Sequence, residues 1–238
     1  MLVHEGRTRT VQADLNLSWS LAALAGALNT AGFYAVGFYA SNMTGNVSAI
    51  SDRAGTGDLV LAAKALLLVI LFGLGAATST LLIRRRRRHA RHDAYAYSIC
   101  AEAILLVAIG VVALPLTEPA RGEALVFGLS FVLGLQNAVV TKITDARVRT
   151  THVTGMVTDI GIELARWLDR KAGDTLAKRH DPDKLRLHLM TVGAFLGGGL
   201  VGVLAYRTIG VGLLFAAAGI LALLSVPVLG ARRSAPAE

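Results

Sequence analysis

The sequence predicts an all-α integral membrane fold: six transmembrane helices arranged as two inverted-topology three-helix repeats. Three observations predict it. Long apolar runs recur along the chain, basic residues cluster at the ends of those runs, and one short phrase is written twice. The 238 residues are 54% hydrophobic, with mean hydropathy +0.56, which is more apolar than a soluble domain of this length would normally be. The apolar bulk is aliphatic, as expected of helices buried in lipid. The single cysteine, Cys100, lies inside an apolar run, so no intramolecular disulfide framework exists.

Six runs each hold the roughly 20 residues needed to cross the hydrocarbon core. They cover 18–40, 58–83, 94–116, 123–143, 187–206 and 209–230. Residues 1–17 read as a cytoplasmic tail, 18–116 as the first three-span repeat, 123–230 as the second, and 231–238 as a second cytoplasmic tail. The polar leader before the first run argues against a secretory signal peptide.

Lys and Arg set the orientation. The net charge of +8 could suggest nucleic-acid binding, but the basic residues sit where membrane topology places them, so no nucleic-acid partner is expected. The run IRRRRRHARHD at 83–93 falls between two spans and reads as cytoplasmic. The loop at 144–186, the tail at 231–233 and the N-terminus then also fall inside. The loops at 41–57 and 117–122, with one Arg each, fall outside. Both termini are expected in the cytoplasm.

The repeated phrase is SNMTGNVSAI at 41–50 and THVTGMVTDI at 151–160. Upstream, GALNT (26–30) matches GLQNA (134–138) and sets Asn29 against Asn137. Three spans separate the copies, and an odd number reverses direction, so the copies face opposite sides of the membrane. Inverted repeats of this kind are typical of secondary transporters, whose sites lie near the midplane where helices are interrupted. Thr can cap a helix and Gly permits an abrupt change of backbone direction. Thr44-Gly45 and Thr154-Gly155 are therefore expected to mark helix starts, which offer N–H donors to an anion or carbonyl. In MVTDIGIELARWLDR, Val157, Ile160, Leu164 and Leu168 share one helical face, and Asp159, Glu163 and Arg166 lie elsewhere. That pattern suits an interfacial or half-inserted helix. The alternative reading is that both phrases are only well-capped turns.

These residues carry a resemblance. TGN in the first half, G-x-x-NA in the second and T-H-V-T-G-x-x-T after it resemble the YoaK family of six-span bacterial membrane proteins, also called DUF1275. The resemblance spans about 18–230 and implies a multi-pass protein of the bacterial cytoplasmic (inner) membrane. The family is largely of unknown function, so what it implies is architecture more than chemistry. Members often have an acidic residue where this chain has Asn29.

Candidate substrate-binding residues are Asn29, Asn42, Thr44, Gly45, Asn46, Gln136, Asn137, His152, Thr154 and Gly155. Each has a structural alternative: Gln136 and Asn137 could bond a neighbouring helix, and His152 could be a cap. Lys64 and Glu102 are charges inside spans, where they are costly and face a partner or a water-filled cavity. A Lys64–Glu102 pair that holds the bundle together is the structural reading. Gly193, Gly197, Gly198 and Gly202 have small-xxx-small spacing, suited to close helix packing within the bundle or across a homodimer. Asn42 and Asn46 formally match glycosylation sequons, discounted in a bacterial-looking chain. Paired carboxylates, Walker, HExxH and CxxC motifs do not occur, so no enzyme, metal or cofactor is expected. Two function classes follow: a small-solute transporter or permease, and a non-transporting structural or regulatory membrane protein of the same fold.

Overall fold

The computed structural model describes residues 11–88, 93–146, 150–172 and 181–231. The expected cytoplasmic segments at 1–10, 89–92 and 232–238 lie outside the described residues, as do 147–149 and 173–180. The described residues form eight helices: α1 (Val11–Val36), α2 (Met43–Gly55), α3 (Leu59–Arg88), α4 (Ala94–Ala113), α5 (Ala120–Ile143), α6 (Val153–Ala172), α7 (Pro182–Ile209) and α8 (Gly212–Ala231).

Five of these, α3, α4, α5, α7 and α8, are long and apolar enough to cross a membrane. Their surfaces are the reverse of a soluble protein's. Leu66, Leu67, Ile70 and Leu74 of α3 and Leu189 and Val201 of α7 are exposed, whereas Ser18, Asn29, Ser79, Ser98, Glu102, Ser130, Gln136 and Thr191 are buried. Water would penalise such a contiguous apolar surface, and acyl chains cover it at no cost. The chain is a multi-pass membrane protein. The 26 residues of α1 would also reach across, but polar side chains dilute its apolarity. Those side chains point inward: Ser18 contacts Thr191 of α7, and the Thr30 hydroxyl lies 2.9 Å from the carbonyl oxygen of Gly199.

Helix pairing is long-range. The most extensive interfaces join α1 to α7, α3 to α5 and α4 to α8, while α2 rests on α3 and α6 on α7. The first two interfaces use one device. A Cβ on Gly26 would collide with the carbonyl of Phe195, and one on Gly198 with the carbonyl of Ala23. On α3 and α5, a Cβ on Gly134 would collide with the carbonyl of Phe72, and one on Gly75 with that of Phe131. Backbones this close exclude any side chain, so each crossing needs a glycine from both helices. The four small-xxx-small glycines therefore divide. Gly198 and Gly202 pack on the α1 backbone, while Gly193 and Gly197 face open space.

Several boundaries differ from expectation, two of them with a clear local cause. The first span was expected to run to residue 40, but α1 stops at Val36, where Gly37 at φ +75° turns the chain. The basic run was read as loop, but α3 continues through Arg88. Arg is a good helix former, and cations are favoured at a helix C-terminus. There Arg86 stacks 3.8 Å over the Tyr97 ring, and Arg87 donates to the Tyr95 hydroxyl at 2.5 Å.

The polar face of α6 is turned inward. Val157, Leu164 and Leu168 are exposed and Glu163 is fully buried. Glu163 accepts from Arg166 at 2.5 Å and from the backbone N–H of Asp181 at 2.9 Å. Asp159 accepts from Lys184 at 3.2 Å. These bonds tie α6 to the start of α7 and leave its apolar face for the membrane.

Candidate functional site

After Gly37 the chain doubles back along α1. The Ser41 backbone N–H and its hydroxyl both donate to Oδ1 of Asn29, each at 2.9 Å. Asn29 lies seven residues before Val36 (36 − 29), which is about 10 Å along a helix axis. The next helix, α2, therefore starts alongside the body of α1 rather than at its end. Asn42 caps it, accepting from Gly45 N–H at 3.1 Å. A Cβ on Gly45 would collide with the Asn42 amide.

The second copy of the phrase is built in register with the first. His152 precedes α6, its carbonyl accepts from Met156 N–H at 3.2 Å, and a Cβ on Gly155 would collide with its imidazole. Each Gly thus makes room for the side chain three residues before it. This corrects the expected role of the Thr-Gly pairs. The helices begin one residue earlier, at Met43 and Val153, and in the first copy the capping side chain is Asn42 rather than Thr44. A cap sits outside the helix and reaches its N2 or N3 amide, a position that Thr44, already inside the first turn, cannot fill.

Thr44 and Thr154 instead line a cavity of about 790 Å³. The first half contributes Asn29, Thr30, Ser41, Asn42 and Thr44, and the second contributes Asn137, Thr151, His152 and Thr154. An apolar wall comes from Tyr39, Met43, Phe72 and a stripe of α7 that includes Phe195, Leu196, Leu200 and Leu204. Among the described residues, no Asp, Glu, Lys or Arg lines the cavity, and the polar groups they contribute are amides, hydroxyls and one imidazole. Such a lining selects by hydrogen bonding rather than by ion pairing. Asn29 Oδ1 is occupied by Ser41, whereas Asn137 Oδ1 is buried with no hydrogen-bond partner.

The other sequence-predicted residues lie elsewhere. Gly45, Asn46, Gly155 and Gln136 do not line the cavity. Asn46 is buried, and its Nδ2 donates to the Tyr39 carbonyl at 3.2 Å, holding the turn. Lys64 does not pair with Glu102. It donates to Glu123 of α5 at 2.6 Å, beside a smaller hollow of about 210 Å³. Lys64 and Glu123 both lie within the first two turns of their helices and so at a common depth, whereas Glu102 is the ninth residue of α4. Glu102 is fully buried. Among the described residues, no group of three or more His, Cys, Asp or Glu side chains could hold a metal ion.

Sequence reasoning missed Tyr39, Ser41 and the α7 stripe. The stripe was legible as spacing, since Val192, Phe195, Leu196, Gly199, Leu200 and Val203 recur at helical intervals. Which neighbour it faces was not.

The family model described as "Protein of unknown function (DUF1275)" matches residues 17–226. The chain belongs to the DUF1275 family. No curated protein and no solved structure matches it. The matched stretch holds both copies of the repeated phrase and every residue lining the larger cavity of this DUF1275 protein. The cavity therefore belongs to the family's own part of the chain and not to an appended segment.

Proposed function

We propose that this DUF1275 protein is a small-solute transporter or permease of the bacterial cytoplasmic membrane. In this reading α1 is a sixth span, both termini are cytoplasmic, and the solute binds in the 790 Å³ cavity between two inverted three-helix repeats. One observation carries the reading. Two copies of one phrase, at 41–50 and 151–160, meet at a single cavity with Asn29 and Asn137 beside them.

The helix pairings lend further support. Exchanging the halves maps the α1–α7 interface onto α5–α3 and the α2–α3 interface onto α6–α7, and it leaves α4–α8 paired with itself. The reciprocal glycine crossings obey the same exchange, with Gly26 and Gly198 standing where Gly134 and Gly75 stand. Two like halves in opposite orientation can swap conformations, which converts an outward-facing cavity into an inward-facing one. Among the described residues the lining offers hydrogen-bond donors and acceptors and no Asp, Glu, Lys or Arg. It suits an uncharged polar solute, or one bearing a carbonyl or carboxylate at the two helix starts. The reading assigns the chain no chemical reaction.

The test is a thermal-shift screen of small polar metabolites on purified protein, followed by uptake of each hit into proteoliposomes. A hit should stabilise the wild type, and Thr154→Val should weaken that stabilisation. Uptake should exceed that of empty liposomes. Hits that bind but never cross would instead support a non-transporting sensor of the same fold. Reporter fusions after residue 90 and at the C-terminus should both signal from the cytoplasm, and an external signal from either would refute the six-span arrangement.

A further inference from the structure

Glu102 stands in the middle of α4, fully buried, and neither carboxyl oxygen has a hydrogen-bond partner. An acid placed this way in a membrane protein is costly and calls for a functional reason. The helices packed on α4 supply no counter-charge at its depth. α8 carries no titratable side chain. On α5, Arg121, Glu123 and Lys142 lie near the helix ends, and Glu123 is held by Lys64. On α3, the arginine run lies in the last turns, where Arg86 and Arg87 engage Asp93, Tyr95 and Tyr97.

Gln136 of α5 approaches Glu102 closely enough to act on its carboxyl, though the two stand outside hydrogen-bond geometry in this arrangement. Gln136 too is fully buried, with neither its Nε2 nor its Oε1 paired. A carboxylic acid has one O–H donor and a carbonyl acceptor, and a primary amide has the complementary set, so the two can close a ring of two hydrogen bonds. A carboxylate has acceptors only, and it leaves the Gln136 carbonyl unmatched. The pair is therefore chemically sensitive to one proton. The next residue, Asn137, lines the cavity, and its Oδ1 is buried without a hydrogen-bond partner. One turn of α5 thus holds the acid's partner on one side and a cavity ligand on the other.

We propose that Glu102 is a proton-binding site, completed by Gln136, whose occupancy is coupled to the cavity through Asn137. The proton site stands independently of transport, whereas the coupling rests on the transporter reading. On protonation Glu102 gains one proton from water that reaches it through a transient opening of the bundle, and on release it returns it.

Infrared difference spectroscopy on protein in phosphatidylcholine nanodiscs, titrated across the pH range the fold tolerates, tests the site. A protonated-carboxyl carbonyl band that responds to pH is expected in the wild type, lost in Glu102→Gln and shifted in frequency in Gln136→Leu. Superimposable spectra from wild type and Glu102→Gln would overturn the proton site, and the Gln136→Leu shift keeps the test decisive if Glu102→Gln folds poorly. For the coupling, proteoliposomes loaded with a transported solute compare accumulation driven by a proton gradient with counterflow at equal pH. Glu102→Gln should lose accumulation and keep counterflow. Wild-type accumulation in that variant would overturn the coupling. If the wild type moves no solute, the transporter reading fails and takes the coupling with it, while the infrared result still decides the proton site.

Discussion

Replacing Asn29 by Leu removes the acceptor that ties Ser41 to α1. The residue is 5% exposed and Ser41 is 6% exposed, so water cannot replace what is lost. Two hydrogen bonds of 2.9 Å disappear, with unequal consequences. The Ser41 hydroxyl can rotate towards another acceptor, so its share is about 0.5–1.5 kcal/mol, towards the lower end in a membrane interior. The Ser41 backbone N–H is fixed and is left unpaired, which costs about 1–3 kcal/mol. The sum is about 1.5–4.5 kcal/mol. The damage should be local at first, because the turn at 37–42 sets the position of the Asn42 cap and hence the start of α2. Thermal unfolding of purified protein, followed by loss of the folded fraction on size exclusion, measures it. Asn29→Asp keeps an acceptor and should cost less than Asn29→Leu. A double-mutant cycle with Ser41→Ala isolates the hydroxyl bond, with an expected coupling of about 0.5–1 kcal/mol. An Asn29→Leu protein within about 0.5 kcal/mol of wild type, the range of an innocuous surface change, would refute the argument that this amide holds the turn.

Two further predictions use the same unfolding assay. Gly26→Ala and Gly134→Ala should each destabilise by about 1–3 kcal/mol, the usual cost of overpacking, because the new Cβ meets a backbone carbonyl on the facing helix. Gly193→Ala and Gly197→Ala face open space and should be neutral or stabilising by up to about 1 kcal/mol through helix propensity; equal losses at all four positions would remove the case for the two crossings. Asn137→Leu should behave oppositely to Asn29→Leu, weakening solute binding with little effect on stability, since its Oδ1 has no partner to strand.

The spans were legible because a bilayer demands long uninterrupted apolar stretches, and the runs that became α3, α4, α5, α7 and α8 met that demand in the sequence itself. The candidate cavity was legible in part because one phrase is written twice. Asn29 with Asn137 and Thr44 with Thr154 were paired from sequence, and all four line it. Helix pairing was not legible. Gly75 and Gly198 approach carbonyls on α5 and α1 that lie far away in sequence, and the only trace is the short pattern Phe-x-x-Gly at 72–75 and 195–198. The Lys64 partner was misread for a different reason. Hydropathy counts charges within a run but not their depth, and counting residues from each helix start would have set Lys64 against Glu123.

The repeated phrase is best understood as two functions placed on alternate residues. Gly45 and Gly155 are there for the side chain three positions earlier, and Asn42 and His152 occupy that position. Between them stand Thr44 and Thr154, in the first turns of α2 and α6 and lining the cavity. A mutation at the glycine therefore acts on the helix start, and a mutation at the threonine acts on what the helix start presents. The two copies have diverged where chemistry matters more than geometry. An amide caps one helix and an imidazole packs over the glycine of the other, and the upstream amide oxygen accepts from Ser41 in the first half but is buried without a partner in the second. In the proposed transporter, a frame with matched halves and unmatched linings would rock between two arrangements while holding an asymmetric solute in one orientation. Capping accounts for Asn42 but not for Thr44 and Thr154, which line the cavity, and the Thr154→Val binding test decides whether they hold a solute there.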